Sequence, residues 1–166
     1  MVVRRELASK IQTIDGLVHV GDEPTPFTGI IFSQYPNGQL KNEITYENGK
    51  KNGASKTRFE TDGRLETEGT FKDGKENGIF KAYYASGKLQ SEETFVDGKK
   101  NGLCKTYYET NGPLKNVAAF ANSKIGQPES EATYKDDNLD GVFKLWDENG
   151  KLQSEVTYKD GERIKK

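Results

Sequence analysis

The sequence predicts an all-β protein, a single elongated and twisted antiparallel meander of β-hairpin repeats. Two observations predict it. A strand–turn–strand pattern recurs about five times along the 166 residues, and the first four copies carry glycines 24 or 25 residues apart, at Gly29, Gly53, Gly78 and Gly102. Internal repetition with a short fixed period is typical of stacked repeat proteins.

Each repeat contains two turn signals. The first is a Ser-Gly or Asn-Gly pair, as in "ASGK" (85–88) and "ENGK" (148–151), and the second is "KDGK" (72–75) or "VDGK" (96–99). Such pairs between alternating runs are a strong hairpin signal, because glycine tolerates the positive φ that tight turns require. We therefore predict two-residue loops at Ser86-Gly87 and Asn149-Gly150, joined by Asp-Gly turns between hairpins.

Opposite charges support this register. The predicted loop places Tyr84 opposite Leu89, and it then brings Lys81 opposite Glu92. The same construction pairs Lys144 with Glu155, and Lys56 with Glu68 when one loop residue is added. Cross-strand pairs of this kind contribute about 0.2–1 kcal/mol each, so three independent matches favour the register.

Period-2 alternation divides the strands into two faces. The face predicted to form the core carries Phe80, Tyr84, Leu89 and Phe95 with their equivalents in the other repeats: Ile31, Tyr35, Leu40, Ile44, Tyr46, Phe143, Leu152, Val156 and Tyr158. The other face is predicted to be solvated. It carries the Lys–Glu pairs and three large aromatic residues, Tyr83, Tyr107 and Trp146.

The repeat is irregular after Gly102, because the next repeat glycine, Gly141, comes 39 residues later. Residues 113–126 are either an insertion or an additional strand. An insertion that loops out leaves Lys105 opposite Glu131, whereas a directly paired strand places Lys105 opposite Val117. Leu114 and Phe120 keep the repeat spacing, so the added strand is favoured.

The composition of the chain disfavours several classes of function. The chain is 32% hydrophobic and 31% charged, with a formal net charge of −1, and its basic and acidic residues are interleaved. No basic patch indicates nucleic-acid binding, and the same lack disfavours an anionic membrane surface. No apolar run approaches the roughly 20 residues that span a bilayer. The start of the chain does not resemble a signal peptide, so a cytoplasmic location is expected.

The quoted repeats resemble a known family. "NGQLKNEITYENGKKNG", "SGKLQSEETFVDGKKNG" and "NGKLQSEVTYKDG" are similar to MORN repeats in their bacterial variant, and more closely to YwqK-type proteins described as antitoxin components of toxin–antitoxin systems. The lead-in "DGLVHVGDEPTPFTGIIFSQYPNGQL" (15–40) also resembles that family. The resemblance implies a twisted single β-sheet without catalytic residues that binds proteins or membranes.

This pattern suggests two parts. Residues 1–28 are predicted to form an N-terminal cap strand or hairpin, because the ends of a stacked array must be shielded. Residues 29–166 are predicted to form the repeat array, with repeats starting near 29, 53, 78, 102 and 141 and the irregular insertion at 113–126.

One segment matches a calcium-loop pattern. Asp136, Asn138, Asp140 and Gly141, followed by Asp147, fit the spacing of an EF-hand loop. The flanking segments are strand-like where an EF-hand requires helices, and Gly141 is already explained as a turn glycine. We therefore expect no metal site here, and no cofactor elsewhere.

The remaining polar residues favour structural roles. The glutamate column, Glu43, Glu68, Glu92, Glu131 and Glu155, is expected to form a charge ladder, since equivalent strands lie roughly 9–10 Å apart and most of these carboxylates face a lysine. His19 is expected to be a strand residue. With one histidine and one cysteine, Cys104, neither a zinc site nor a Cys–His nucleophile is supported.

The expected function follows from these exclusions. We predict a non-catalytic scaffold that binds a protein partner, a toxin being one candidate, with peripheral membrane association as the disfavoured alternative. Tyr83, Tyr107 and Trp146 are the candidate contact residues, because large aromatic side chains on a solvated sheet face are typical of interfaces.

Overall fold

The computed structural model describes residues 3–109 and 126–165, which form two compact units, residues 3–77 and 78–165. The strands of the first unit are β1 (Arg5–Leu7), β2 (Ile11–Ile14), β3 (Leu17–Val20), β4 (Gly29–Gln34), β5 (Leu40–Glu47), β6 (Lys50–Arg58), β7 (Leu65–Lys72) and β8 (Lys75–Glu76). Those of the second are β9 (Gly78–Tyr83), β10 (Leu89–Val96), β11 (Lys99–Lys100), β12 (Gly102–Tyr107), β13 (Pro128–Lys135), β14 (Asn138–Trp146), β15 (Leu152–Lys159) and β16 (Glu162–Arg163). The all-β prediction is confirmed.

In the first unit, β4, β5, β6 and β7 pair consecutively and antiparallel, and β8 pairs with the end of β7. Strands β2 and β3 form a separate hairpin. Strand β1 pairs with β4 in the parallel direction, with Arg5 opposite Ile30. The expectation of a purely antiparallel sheet is therefore wrong at this strand. The reason is that the turn at Ala8–Lys10 and the β2–β3 hairpin form a crossover long enough to return the chain in its original direction.

In the second unit, β9, β10, β12, β13, β14, β15 and β16 pair in that order, all antiparallel, and β11 pairs with the end of β10. Strand β12 pairs directly with β13, so Lys105 lies opposite Glu131. The favoured prediction, which placed Lys105 opposite Val117, is therefore wrong, and the alternative pairing is confirmed. Residues 110–125, which include most of the irregular segment 113–126, lie outside the described residues.

Two kinds of turn alternate along both units. The turns between hairpins have two residues with positive φ, as at Asp97 (50°) and Gly98 (82°), which is the type I′ pattern. The loops inside the hairpins β4–β5, β9–β10 and β14–β15 have three residues, as the hydrogen bonds from Tyr84 N to Lys88 O and from Gly87 N to Tyr84 O show, and the loop of β6–β7 has four. The two-residue loops predicted at Ser86-Gly87 and Asn149-Gly150 are therefore wrong, since Asp147 N donates to Lys151 O in the same way. The extra residue places Tyr83, and not Tyr84, opposite Leu89, and a bulge before Ser91 restores the Lys81–Glu92 pairing.

Hydroxyl groups connect successive repeats at the loop end of the sheet. Tyr35 Oη donates to the carbonyl of Arg58 at 2.7 Å, and Tyr84 Oη donates to that of Tyr107 at 2.8 Å. Tyr108 Oη makes the same bond to the carbonyl of Trp146, at 3.0 Å. Tyr108 and Trp146 are 38 residues apart, whereas the other two pairs are 23 residues apart, so the same contact joins residues on either side of the irregular segment.

A packed core lies at the N-terminal end of the first unit. Val20, Phe27, Ile31 and Tyr46 are buried in one cluster, and Phe27 is the most buried of them, at 1% exposure. The hairpin β2–β3 contributes Val20 to this cluster. Hydrogen bonds from Val18 N to Gly49 O and from Phe27 N to Val18 O join the hairpin to the turn after β5 and to the segment before β4. The residues of the predicted cap, 1–28, thus include this hairpin, while the proposed domain boundaries stay a prediction.

Candidate interaction surface

A ladder of alternating charge crosses the second unit. Register pairs join Lys81 (β9) to Glu92 (β10), Glu92 to Lys105 (β12), and Lys105 to Glu131 (β13). The ladder continues from Glu131 to Lys144 (β14) and from there to Glu155 (β15). Directly opposed residues of an antiparallel pair share one face, so all six side chains lie on one side of this sheet, which we call the ladder face. The charge ladder predicted for the glutamate column is confirmed here.

Three ion pairs form within the ladder. The N–O distances are 3.3 Å for Lys81–Glu92, 3.2 Å for Lys105–Glu131 and 3.7 Å for Lys144–Glu155. The six side chains remain between 31% and 51% exposed. Each ammonium has three donors and each carboxylate has about four acceptor positions on its two oxygens, so these in-chain contacts leave hydrogen-bonding capacity on every member.

An exposed aliphatic row flanks the ladder. Ile79, Leu103 and Val142 each precede a ladder lysine by two residues, so they lie on the ladder face, and they are 55%, 42% and 39% exposed. Each lies opposite a threonine: Thr94, Thr133 and Thr157 respectively. This row was not among the contact residues predicted from the sequence. Its signal was an apolar residue directly after each repeat glycine, in Gly78-Ile79, Gly102-Leu103 and Gly141-Val142.

The predicted aromatic residues lie on the other side of the ladder. Tyr83, Tyr107 and Trp146 each follow a ladder lysine by two residues and therefore share the ladder face. Tyr83 and Trp146 are half-buried, but Tyr107 is only 6% exposed. The prediction that all three are solvated is therefore wrong for Tyr107. That Tyr83 and Trp146 contact a partner stays a prediction.

The environment of Tyr107 explains its burial and its titration. Its hydroxyl lies 3.4 Å from Glu92 Oε2 and donates to that carboxylate. Burial, and then the negative charge of Glu92, raise the pKa of Tyr107 to about 12. Both effects disfavour the phenolate, because a buried anion beside a carboxylate loses solvation and gains repulsion. Tyr107 thus acts as a neutral donor that holds Glu92 within the ladder.

The leucines after the hairpin loops change face because of the loop length. Leu89 pairs with Tyr83 and is 5% exposed, so it is buried on the ladder face. Leu152 pairs with Trp146 at the equivalent position and is 44% exposed. The prediction that Leu152 belongs to the buried face is therefore wrong, since the three-residue loop and its bulge place this leucine on the same side as the ladder.

The calcium-loop residues do not form one loop. Asp136 lies in the two-residue turn before β14, and Asn138 and Asp140 lie within β14. Asp147 follows that strand at its other end, roughly 23 Å from Asp140 at about 3.3 Å per residue. Asp140 binds Lys159 Nζ at 2.8 Å, and Asp147 accepts bonds from the backbone of Asn149 and Lys151 at 3.0 Å. Residues 3–109 and 126–165 contain no cluster of His, Cys, Asp or Glu suited to a metal ion.

Two further residues have structural environments. His19 lies in β3, buried, with Nδ1 3.0 Å from the carbonyl of Glu23, as expected for a strand residue. Cys104 is a buried free cysteine whose burial raises its pKa, and a raised pKa disfavours the reactive thiolate. The described residues include no helical stretch with the length and apolar character that a bilayer crossing requires.

Comparison with protein families agrees with this geometry. A family described as MORN repeat variant matches residues 27–48, 76–97 and 139–160. Three segments of the chain are thus similar to MORN repeats. The three matches contain most or all of the hairpins β4–β5, β9–β10 and β14–β15 and together cover less than half of the chain. No curated protein matches the chain.

The hairpin β6–β7, which lies outside the three matches, has the same repeat geometry. The hairpin β6–β7 has Lys56 opposite Glu68, as β9–β10 has Lys81 opposite Glu92. A Cβ added to Gly53 would lie 3.1 Å from Thr45 Cβ, and one added to Gly102 would lie 3.2 Å from Thr94 Cβ. The same close approach of glycine to threonine thus recurs at the start of a repeat in both units.

Proposed function

We propose that this chain is a non-catalytic protein-binding scaffold whose contact surface is the ladder face of its second unit. The observation that carries the proposal is the exposed aliphatic row Ile79, Leu103 and Val142 beside the charge ladder. MORN repeats are consistent with a repeat-based binding scaffold and are generally non-catalytic. The resemblance to antitoxin components suggests a toxin as one class of partner.

The chemistry of the ladder face favours a protein over a lipid surface. Residues of the aliphatic row lie on alternate strands, roughly 9–10 Å apart, and can insert into separate depressions on a partner. The ladder beside them has three lysines and three glutamates, so it presents no net positive charge to anionic headgroups. Paired charges around exposed apolar residues are typical of protein interfaces, where a polar rim surrounds an apolar centre.

The test is affinity capture with mass spectrometry from the source cells, comparing wild type with the triple variant Ile79→Ser/Leu103→Ser/Val142→Ser. We expect proteins captured by wild type to be lost from the triple variant, because its binding surface has lost the apolar contacts. The matched control is Val3→Ser/Ile14→Ser, since these side chains are 57% and 44% exposed and lie in the first unit.

Three outcomes separate the hypotheses. The proposal is supported if the triple variant loses the partners of wild type and the control variant retains them. Partners kept with both variants contradict the assignment of the ladder face. Co-sedimentation of wild type with anionic liposomes, without a captured protein, would instead favour the membrane alternative.

A further inference from the structure

The order of charges in the ladder has a symmetry that a random surface lacks. Across the strands β9, β10, β12, β13, β14 and β15 the ladder has the order Lys, Glu, Lys, Glu, Lys, Glu. An alternating series with an even number of members becomes its own complement when its order is reversed. Reversal is what a two-fold axis parallel to the strands does when two copies meet through this face.

The pairing under that axis is complete. Lys81 of one copy meets Glu155 of the other, Glu92 meets Lys144, and Lys105 meets Glu131 on either side of the axis. The second two-fold arrangement, with the axis along the ladder, places every lysine against the equivalent lysine and every glutamate against its equivalent. Like charges disfavour that arrangement, so the ladder permits one orientation and excludes the other.

The apolar rows keep their place under the permitted axis. Rotation about an axis parallel to the strands leaves distances along the strands unchanged, so each residue of the aliphatic row meets a threonine at the same position along the strands of the second copy. Leu103 then faces Thr133 of the second copy beside the axis, and Val142 faces Thr94. Aliphatic groups contact threonine methyl groups, and the neighbouring strands stagger them so that they interdigitate, as in face-to-face sheet packing.

The surface is large enough for a reversible dimer. Five spacings of about 4.8 Å give the ladder face a width of roughly 24 Å, and its three rows with their side chains span roughly 20 Å along the strands. The area is about 500 Å² on each copy and about 1,000 Å² in total, near the lower end for a specific interface. We therefore expect exchange between monomer and dimer at protein concentrations that can be reached in solution.

We propose that the ladder face of the second unit binds a second copy of this chain through a two-fold axis parallel to the strands, between β12 and β13. The inference rests on the proposed function, because it names an occupant for the same surface. Across the interface, each in-chain Lys–Glu pair meets a Glu–Lys pair of the second copy, so four charged side chains form each cluster through their remaining donors and acceptors. The aliphatic rows supply the apolar contact.

An orthogonal pair of variants tests the axis. The first variant, Lys81→Glu/Glu92→Lys, keeps its in-chain ion pair but places like charges against Glu155 and Lys144 of a second copy. The second variant, Lys144→Glu/Glu155→Lys, does the same against Lys81 and Glu92. Each variant alone is expected to raise the dissociation constant of the dimer by about 100-fold or more. An equimolar mixture is expected to form heterodimers, because every position is then complementary.

Sedimentation equilibrium of the full chain measures these states, and circular dichroism checks that each variant folds. Wild-type dimers, monomeric variants and heterodimers in the mixture support the proposal. Wild type that stays monomeric at about 1 mM overturns it, since even a low-affinity interface would be populated there. Variants that dimerise as well as wild type overturn it too, because the contact must then use another surface.

The failure of this inference can be distinguished from that of the proposed function. In one case wild type is monomeric, and the proteins that it captures are lost from the Ile79→Ser/Leu103→Ser/Val142→Ser variant. That result would overturn the two-fold dimer and still support the scaffold proposal. A dimer that dissociates in that triple variant while captured proteins remain bound would support the dimer and contradict the assignment of partner binding to this face.

Discussion

The two units of this chain use the same strand register but arrange their buried apolar side chains differently. In the first unit, Val20, Phe27, Ile31 and Tyr46 form a cluster in which Phe27 is 1% exposed. In the second unit the buried apolar residues of the described chain are Leu89, Cys104, Tyr107 and Ala132, divided between the two faces, while Ile79, Leu103 and Val142 are exposed. The first unit has a hairpin packed over its strands.

The difference shows what the repeat itself can stabilise. A single sheet leaves two faces open, and a second layer of structure gathers the apolar side chains of one face into a common cluster. The β2–β3 hairpin supplies that layer in the first unit, and Gly49 of the Asn48-Gly49 turn accepts the hydrogen bond from Val18. The second unit depends on strand pairing, its charge ladder and tyrosine hydrogen bonds, and it retains exposed apolar residues available for binding.

The largest expected effect tests the core. Phe27→Ala should lower the free energy of unfolding by about 3–5 kcal/mol, because the side chain is completely enclosed and its loss leaves a cavity. Leu89→Ala in the second unit should cost less, about 2 kcal/mol, at the lower end for a buried leucine on a thin sheet. Urea denaturation of the full-length variants measures both. A cost for Leu89→Ala equal to that for Phe27→Ala would contradict the contrast between the units.

A smaller effect distinguishes two equivalent turn glycines. Gly49 and Gly74 are both second residues of two-residue turns, with φ of 76° and 86°. A Cβ at Gly49 would lie 2.8 Å from Leu17 Cβ and 2.9 Å from Val18 N, whereas one at Gly74 would meet nothing within 4 Å. Gly74→Ala should cost about 1 kcal/mol from backbone strain, and Gly49→Ala about 2–4 kcal/mol because the hairpin must also shift.

Thermal melts of the two glycine variants provide the comparison, with wild type measured in parallel. Equal losses of stability would show that the β2–β3 hairpin does not constrain the Asn48-Gly49 turn. The prediction would then fail, even if both variants were less stable than wild type.

The smallest effect concerns pH and the second unit. The pKa of Tyr107 is raised from 10.0 to about 12 by burial and by Glu92, so the folded chain keeps a proton that the unfolded chain loses. The contribution of this proton to stability is fully present below about pH 10 and is lost as the pH rises through about 12. The difference in unfolding free energy between wild type and Tyr107→Phe should therefore decrease over this interval, as measured by urea denaturation at several pH values.

Other tyrosines also have raised pKa values. The quantity to follow is therefore the difference in unfolding free energy between wild type and Tyr107→Phe, and not the pH dependence of wild type alone. Glu92→Gln provides a second check, because it removes the charge beside the phenol. Ultraviolet titration of that variant should show Tyr107 ionising at lower pH than in wild type. An unchanged titration would mean that burial alone raises this pKa.

The sequence predicted the features that depend on local chemistry. Positive φ at glycine and aspartate defines the turns, and alternation with opposite charges defines the register, so Lys56–Glu68, Lys81–Glu92 and Lys144–Glu155 pair as expected. Where two loop lengths were compatible with the same residues, the prediction failed. Ser86-Gly87 is part of a three-residue loop, and the resulting bulge changes the face of Leu89 and Leu152.

The candidate surface was predicted only in part for the same reason. Alternation places Tyr83, Tyr107 and Trp146 on one face, but it does not give the depth of each side chain, and Tyr107 is buried. The pairing of Lys105 depended on a non-local choice between Val117 and Glu131, and no local rule distinguishes them. Long-range pairing is determined by the total contacts of the folded sheet, including the bond from Tyr108 to Trp146.

By itself, then, the sequence determined the fold class, the repeat and the composition of the ladder, because turn dihedrals, strand alternation and charge pairing act over a few residues. The tertiary structure alone decided which apolar residues are enclosed, that β1 pairs parallel with β4, and that Ile79, Leu103 and Val142 form one exposed row beside the ladder. These features depend on which strands become neighbours, and the free energy of burial is a property of the whole assembly of strands.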